Sequence, residues 1–321
     1  MSGPFDIVAN SGTAARPVVS IVLVCDYGSD GNAWEDAGLT LAALGAQDFE
    51  EPFECLLIEQ EGVVVPEDVL RALPGLRLIR TTQYTSFAMK NEGVRVAKAD
   101  LVALLDCDCV PERGWLRAFV AAMRLHPFVA AVSGRTVHPG HSLTEKILGM
   151  LARGHVDRGK AGPTRYVANQ NAGYRRAVYL RCPLPGDTLP FTSTLQSEEI
   201  RRDGGELWFE PAMLALHEYA GWNAQRDISV NNGYGTVLCR LRDPQMPYAW
   251  LTHLGFASIP LFVAGKIIDA WVTCVRCART YGVPWLALPY ALTLAIVTRA
   301  MEAPGMLRAI RGDSLRSTGY R

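Results

Sequence analysis

Short apolar runs and polar segments alternate along the N-terminal third of the chain. The apolar runs, rich in Val, Leu and Ile, cover residues 18–25, 54–58, 76–79 and 101–105. Between the last two runs, apolar side chains recur at helical spacing. Short runs without polar alternation are typical of strands buried on both faces of a parallel sheet. Strands that alternate with helices predict an α/β domain with parallel pairing and right-handed crossovers.

Two carboxylates follow the last of these runs. Residues 101–105 lead directly into Asp106-Cys107-Asp108, at the end of a strand where open α/β sheets bind their ligands. In an extended chain, Asp106 and Asp108 point to the same side. Because two like charges this close raise the free energy unless a cation offsets them, the pattern indicates a site for a hard divalent cation with a diphosphate on its far side. An acidic turn without a ligand is the alternative.

The charge of the chain argues against a nucleic-acid partner. Its 321 residues carry 32 Lys and Arg and 32 Asp and Glu, without the clustered basic residues that bind a phosphate backbone. Most of the eight cysteines lie in apolar segments, as reduced structural cysteines do. Cys274 and Cys277 form a C-x-x-C pair without a second such pair, which disfavours a zinc site.

The chain becomes apolar after a polar connector at residues 226–247. Residues 248–264 and 281–298 carry no charge, but each is shorter than the roughly 20 residues of a spanning helix. The side chains around them are those expected at a membrane–water boundary, namely Trp250, Trp271, Trp285, Tyr290, Arg276, Arg279, Arg299, Arg308 and Arg311. We expect membrane association through interfacial or re-entrant helices rather than full spans, with a buried helical hairpin as the alternative.

The N-terminal residues are rich in Ser, Gly and Ala and have neither a basic start nor an apolar run. They predict a flexible tail rather than a signal peptide. We therefore expect a tail at residues 1–17, an α/β domain at 18–225, and a connector with apolar and amphipathic helices at 226–321. The expected location is the cytoplasmic face of the inner or plasma membrane.

Several loose motifs, in this order, resemble the family 2 glycosyltransferases, which are inverting enzymes of GT-A fold. The resemblance spans about residues 18–225. The motifs that carry it are the first strand with Tyr27, then Glu59, Lys90-Asn91, Asp106 to Asp108, Asn171-Ala172-Gly173-Tyr174-Arg175-Arg176, Arg202-Asp203-Gly204-Gly205, Trp208-Phe209-Glu210-Pro211 and His217. It implies a Rossmann-like nucleotide-sugar-binding domain and, together with the apolar C-terminus, bacterial polysaccharide synthesis at a membrane.

The resemblance implies a donor site with a metal ion. Asp108 and His217 would bind Mn²⁺ or Mg²⁺, and a neutral imidazole suits Mn²⁺ better; a purely structural histidine is the alternative. Asp106 would contact the ribose. Glu59 would accept a hydrogen bond from a uracil-type base, unless it is a solvated loop carboxylate.

Further residues would complete the substrate site. Tyr27 would stack on the base, and the backbone of Cys25 would contact it. Lys90 stands where the family usually has arginine, so it would add a positive charge near the base or the phosphates but lose bidentate geometry. Asn91 and Asn171 would also bind substrate, Asn171 from the acceptor-side segment.

The general base has no direct match. Counting back at the family's spacing from the glycine turn reaches Thr192-Ser193, which holds no carboxylate. A helix one turn shorter, with Ser197 as its N-cap, places Glu198 and Glu199 in the first turn. Glu199 would then be the base and Glu198 would brace the helix. Asp187 is a third candidate.

The sequence thus predicts a metal-dependent, inverting glycosyltransferase of hexosyltransferase type, with a nucleotide-diphosphate sugar as donor, UDP-linked in the first instance, and a lipid-linked or polysaccharide acceptor. The alternative is a catalytically silent protein that binds nucleotide sugar and serves as a scaffold in a membrane assembly. A nucleotidyltransferase is disfavoured, because the segment after the first strand, Asp26-Tyr27-Gly28-Ser29-Asp30, is acidic where a basic phosphate loop is required.

Overall fold

The computed structural model describes residues 16–25, 33–186, 191–217 and 221–314. Two of the predicted site residues, Tyr27 and Asp187, lie outside these ranges. Within them the strands form one mixed sheet. The strands are β1 (Val19–Val24), β2 (Phe53–Gln60), β3 (Arg77–Thr81), β4 (Leu101–Asp106), β5 (Cys109–Pro111), β6 (Val129–Val137), β7 (Gly162–Pro163), β8 (Asn171–Arg175) and β9 (Glu206–His217).

The strand order is β3-β2-β1-β4-β8-β6-β9-β5, with β7 paired to β9. Strands β3, β2, β1 and β4 are parallel neighbours, and they are the four strands that the apolar runs predict. Strand β8 is antiparallel to β4 and β6, so the second half of the sheet is mixed. Val24 pairs in register with both Ile58 and Asp106, and the carboxyl ends of β1, β2 and β4 therefore meet at one edge.

Helices cover both faces of the sheet. The helices are α1 (Ala33–Gly45), α2 (Glu67–Arg71), α3 (Ser86–Val96), α4 (Trp115–Leu125), α5 (Leu143–Arg153), α6 (Arg176–Arg181), α7 (Thr192–Arg202), α8 (Gly221–Arg242), α9 (Ser258–Cys277), α10 (Leu288–Ala300) and α11 (Ala303–Arg311). One apolar core joins the strands to α1 and α4, and a second joins them to α3 and α6. The central strands are buried on both sides, as their composition predicts.

Helix α7 begins at Thr192, so the prediction of a shortened helix with Ser197 as its N-cap is wrong. Ser197 lies in mid-helix, where its hydroxyl donates to the Ser193 carbonyl oxygen at 2.6 Å. The additional turn is stabilised by tertiary contacts, because Gln196 is buried and its amide donates to the Cys182 carbonyl oxygen at 2.9 Å. The chain enters the helix through Phe191, which has a left-handed conformation (φ 74°).

The predicted polar connector at residues 226–247 is largely helical. It forms most of α8, which packs along α11. Glycines permit the close approach: a Cβ atom on Gly233 would lie 1.9 Å from the Glu302 carbonyl oxygen, and one on Gly305 would lie 1.9 Å from that of Val230. The predicted boundary between residues 225 and 226 falls inside α8.

Two C-terminal segments, Ala249–Cys277 and Trp285–Arg311, are helical over a length and with a composition that could cross a membrane. Helices α9 and α10 pack on α5 through an apolar cluster. Only 11% and 28% of the two apolar windows is buried, which is less than a buried hairpin would show. The exposed apolar side chains of this region include Trp250, Phe256, Leu261, Ile268, Trp271, Val272, Val275, Trp285, Leu286 and Tyr290.

Candidate active site

A candidate metal centre lies where β5 pairs with β9. The antiparallel register places His217 opposite Cys109, which brings the imidazole next to Asp108. His217 Nε2 lies 3.1 Å from Asp108 Oδ2, and one ligand atom from each of Asp108, Cys109 and His217 lies within 4.8 Å of the others. The sequence separates Asp108 from His217 by more than a hundred residues, and the sheet brings them together.

The donor set suits a divalent cation with oxygen and nitrogen ligands. Asp108 offers a carboxylate and His217 an imidazole, both partly exposed, which is a combination that Mn²⁺ accepts. Cys109 is fully buried, and desolvation, with Asp108 and Asp106 nearby, raises the pKa of its thiol well above the ordinary value.

Lys90 and Asp106 form an ion pair beside this centre. Helix α3 begins with Thr85 as its N-cap and packs so closely on the sheet that Gly93 has no room for a side chain. This packing buries Lys90, whose Nζ lies 2.5 Å from Asp106 Oδ1. Lys90 thus neutralises one of the two carboxylates. The sequence predicted a positive charge near the base or the phosphates, but it did not predict this ion pair.

Two further predicted residues lie at the same edge of the sheet. Glu59 is the penultimate residue of β2 and is buried, and its Oε1 accepts a hydrogen bond from the Gln60 backbone N–H at 2.7 Å. It is therefore not a solvated loop carboxylate. Cys25 follows β1, and its Sγ lies 2.6 Å from that of Cys107. Burial and the neighbouring Cys25 raise the pKa of Cys107 well above its usual value.

The side-chain amide of Asn91 is engaged by the protein. It donates to the Leu184 carbonyl oxygen at 2.8 Å and accepts from the Tyr179 hydroxyl at 2.9 Å. It thereby ties α3 to the segment after α6.

Asn171 is similarly engaged. It is fully buried, accepts from Trp115 Nε1 at 2.8 Å, and donates to the carbonyl oxygens of Arg135 and Met213. It joins β6, β8 and β9 behind the site.

The two candidate bases are not equivalent on α7. Glu198 is buried and forms ion pairs with Arg165 at 2.7 Å and Arg201 at 2.9 Å. Glu199 is exposed to solvent. Since α7 starts earlier than predicted, its first turn contains no acidic residue, and neither glutamate occupies the helix N-terminus.

Sequence reasoning missed a group of side chains behind the metal centre. His138, which follows β6, packs edge-on against His217 with ring centroids 4.8 Å apart. Arg153, at the end of α5, donates from Nε to His138 Nε2 at 3.3 Å. A Cβ atom on Gly149 would lie 2.7 Å from the His138 Cβ, so this glycine lets α5 approach. No spacing in the sequence links these residues to His217.

Comparison with known proteins agrees with this geometry. Residues 32–181 match the sequence model of glycosyl transferase family 2. The matched segment is 150 of the chain's 321 residues and resembles that family. The chain also resembles two curated synthases, each over a short stretch. A hyaluronan synthase of Pasteurella multocida is 30% identical over 90 residues, which is 26% of this chain and 9% of that protein.

The second relative is a chondroitin synthase of Pasteurella multocida strain Pm70, 25% identical over 111 residues, or 33% of this chain and 12% of that protein. The chain thus matches only about a tenth of the length of either synthase. Over nearly its whole length, the chain resembles the solved structure of the mannosyltransferase PcManGT from Pyrobaculum calidifontis in complex with GDP-Man and Mn²⁺. The TM-score is 0.62 at 16% identity, covering 97% of this chain and 92% of that one. The predicted GT-A fold is confirmed.

Proposed function

We propose that this protein is a metal-dependent, inverting glycosyltransferase that moves a sugar from a nucleotide-diphosphate sugar, with UDP as the first nucleotide to test, to a lipid-linked or polysaccharide acceptor. The observation that carries the proposal is the Asp108–His217 pair beside the Lys90–Asp106 ion pair. Both pairs lie at the carboxyl edge of a GT-A sheet, where such folds bind nucleotides.

Asp108 and His217 would hold the cation, Mn²⁺ or Mg²⁺. A bound divalent cation would neutralise the leaving diphosphate. Asp106, fixed by Lys90, would accept hydrogen bonds from the ribose without placing a second uncompensated charge beside Asp108. Glu59 would accept an N–H group of the base; uracil and guanine both offer one, so the donor test includes both nucleotides.

The outer face of α9 and α10 supports membrane association. Asp269 is exposed near the middle of α9, beside the exposed Ile268 and Val272. A carboxylate at the centre of a spanning helix is costly, so α9 would lie in the interface with its apolar face in the lipid. A nucleotide-sugar donor places the catalytic side at the cytoplasmic face.

The test is thermal unfolding of the full-length protein with UDP- and GDP-sugars, each with and without Mn²⁺ or Mg²⁺. A ligand that binds only the native state raises the Tm by mass action. We expect a shift that needs both the nucleotide sugar and the cation. If no nucleotide sugar shifts the Tm under any metal condition, the proposed donor site is refuted.

A catalytically silent scaffold is the second candidate. It is favoured by one observation, the absence of a carboxylate from the first turn of α7. Such a protein would bind the nucleotide sugar in the thermal assay but would release no nucleotide diphosphate with any acceptor.

A further inference from the structure

Two amide side chains lie in a tight turn that leads into β8. The Asn171 backbone N–H donates to the Ala168 carbonyl oxygen at 3.0 Å, and Asn169 and Gln170 occupy the two central positions of the turn. Strand β8 is the antiparallel neighbour of β4, with Asn171 paired to Leu105. The turn therefore lies just beyond the last pair of this ladder, at the carboxyl end of β4, where the D-x-D carboxylates follow.

Hydrogen bonds to three other elements fix the position of this turn. Two buried serine hydroxyls, Ser133 of β6 and Ser197 of α7, accept the backbone N–H groups of Ala168 and Val167 at 3.2 and 3.1 Å. The Asp106 backbone N–H of β4 donates to the carbonyl oxygen of the second central residue at 3.2 Å. The protein thus sets the place of the turn against the acidic strand end without the help of a ligand.

The amide of Asn169 lacks an acceptor in the part of the chain that the structure describes. The residue is 8% exposed, and its Nδ2 atom is buried without a hydrogen-bond partner. Burying an amide N–H without an acceptor costs free energy, so most buried polar groups in native proteins have partners. Because χ2 of an asparagine has only a broad, shallow preference, the amide can turn toward a ligand oxygen while the backbone stays in place.

Other buried amides near the site are engaged by the protein. Asn171 donates to carbonyl oxygens of β6 and β9. Gln196 donates to the Cys182 carbonyl oxygen at 2.9 Å and accepts from the Tyr174 hydroxyl at 3.1 Å. These two amides hold the fold together. Asn169 forms no such bond to the residues described, so a role in holding the fold does not account for it.

The order of strands along the carboxyl edge places the turn beyond the metal centre. Along this edge Glu59 stands on β2, Asp106 and Asp108 follow β4, and the turn precedes β8, the next strand in the sheet. In the proposed function these groups would hold the base, the ribose and the cation with its diphosphate. Neighbouring strands lie about 4.8 Å apart, so the sugar attached to the diphosphate would reach the turn.

The chemistry of an amide suits a sugar hydroxyl. A carboxamide donates and accepts hydrogen bonds, as a hydroxyl does, and it is uncharged beside two carboxylates. It can serve neither as a general base nor as a counter-charge for phosphate. A site built to form a hydrogen bond with a hydroxyl group rejects the analogue that lacks it, because the polar group of the protein is then left without a partner.

We propose that Asn169 binds a hydroxyl group of the transferred sugar and thereby selects donors that carry this hydroxyl. The inference rests on the proposed function and adds a binding residue to the same donor site. Bond making and bond breaking at the anomeric carbon do not involve Asn169, so its contribution lies in the affinity for the sugar.

The experiment uses the full-length protein with Mn²⁺ and the nucleotide sugar identified by thermal unfolding. Calorimetric titration compares this donor with its nucleoside diphosphate and with a series of donors in which one sugar hydroxyl at a time is replaced by hydrogen. We expect one deoxy donor to bind the parent protein at least about tenfold more weakly than the full donor.

Asn169→Ala should lose the same discrimination. It should bind the full donor at least about tenfold more weakly than the parent protein does, and it should bind the selected deoxy donor and the nucleoside diphosphate within about twofold of the parent values. The Tm should hold or rise, because the substitution removes a buried amide without a described partner. Asn169→Ser keeps a hydroxyl donor and should recover part of the affinity for the full donor.

Gln196→Ala is the matched control. It also removes a buried amide, but one that is bonded within the protein. This variant should therefore lower the Tm and leave the ratio of the affinities for the full donor and the nucleoside diphosphate unchanged.

Specific results overturn the inference. One is equal affinity of the parent protein for the full donor and every deoxy donor. Another is an equal loss of affinity for the full donor and the nucleoside diphosphate in Asn169→Ala, which would show a merely structural role. If Asn169→Ala does not fold, Asn169→Ser decides: a loss confined to the full donor supports the inference, and no loss refutes it. A protein that binds the nucleotide sugar, but equally well in the Asn169 variants, keeps the proposed function and refutes this role. A protein that binds no nucleotide sugar refutes both.

Discussion

At the residue scale, two side-chain pairs lie at the carboxyl edge of the sheet, and they differ in chemistry. Asp108 and His217 face each other as potential ligands, whereas Lys90 and Asp106 neutralise each other. The two carboxylates of the D-x-D motif are therefore not equivalent. In the proposed function, Asp108 would bind the cation and Asp106 would contact the substrate.

We expect Asp108→Ala to abolish metal-dependent binding of the nucleotide sugar while the fold is retained. Asp106 keeps its ion pair with Lys90, and the lost contact with His217 is partly exposed, so the free energy of unfolding should change by less than about 1 kcal/mol. Calorimetric titration with the donor and Mn²⁺ measures the effect, and Asp100→Ala, an exposed aspartate that contacts Arg16, is the control. Unchanged affinity and unchanged Mn²⁺ dependence would show that the metal lies elsewhere.

Lys90→Met should destabilise the protein by about 3 kcal/mol, because it leaves the Asp106 carboxylate without its buried cation. We place the loss at the lower end of the range for such pairs since the Asp106 side chain keeps 20% of its exposure. Adding Asp106→Asn should recover part of the loss, as it removes the uncompensated charge. Urea unfolding of the single and double variants gives the coupling; strictly additive effects would contradict a direct pair.

At the element scale, the C-terminal helices pack on one another and on the helix α5 behind the candidate site. Helix α8 packs on α11, and α9 and α10 pack on α5, which carries Arg153. The end of α5 thus links the metal centre to the apolar region through His138. Arg153 contacts His138, which packs on the candidate ligand His217; removing a residue that supports a metal ligand commonly lowers metal affinity by about 10- to 100-fold.

Gly233→Ala tests the packing of α8 on α11. The new methyl group would lie 1.9 Å from the Glu302 carbonyl oxygen, so the helices must separate, and we expect a loss of at least 2 kcal/mol, as in other overpacked contacts. Gly265→Ala is the matched control: it lies inside α9 with no atom within 4 Å of the added Cβ, and should stabilise by about 0.5–1 kcal/mol. Equal effects in thermal unfolding would show that α8 and α11 do not pack as described.

At the scale of the whole molecule, apolar surface is concentrated on one side, around α9 and α10. Trp285→Asp with Leu286→Asp should weaken binding to liposomes at least tenfold, since these side chains are 60% and 97% exposed and would lose their transfer into lipid. Leu125→Asp with Phe128→Asp makes the same change at two exposed apolar residues, one at the end of α4 and one just after it. This pair should not change the binding to liposomes. Vesicle sedimentation measures both; equal loss in the two pairs, or no binding by the parent, would contradict the interfacial face.

The sequence by itself determined the parallel half of the sheet, the acidic strand end and the apolar C-terminus. Each is a local property. The apolar run of β4, which ends at Asp106, has no polar face, and such a run is typical of a central strand that is buried on both sides. The family resemblance added His217 and Glu59, and the structure brings both to the carboxyl edge, through pairing of β9 with β5 and burial at the end of β2.

Only the tertiary structure decided the start of α7, the pairing of Lys90 with Asp106, and the Arg153–His138 contact behind His217. Helix-start chemistry at Ser197 favoured a shorter helix, but burial of Gln196 and its bond to Cys182 stabilise an extra turn, and a cap worth about 1 kcal/mol cannot outweigh them. Arg276 and Arg299 donate to carbonyl oxygens at the end of α5, which lies more than a hundred residues earlier in the chain. Long-range contacts of this kind leave no periodic signal in the sequence, because their partners are chosen by the packing of whole elements rather than by neighbouring residues.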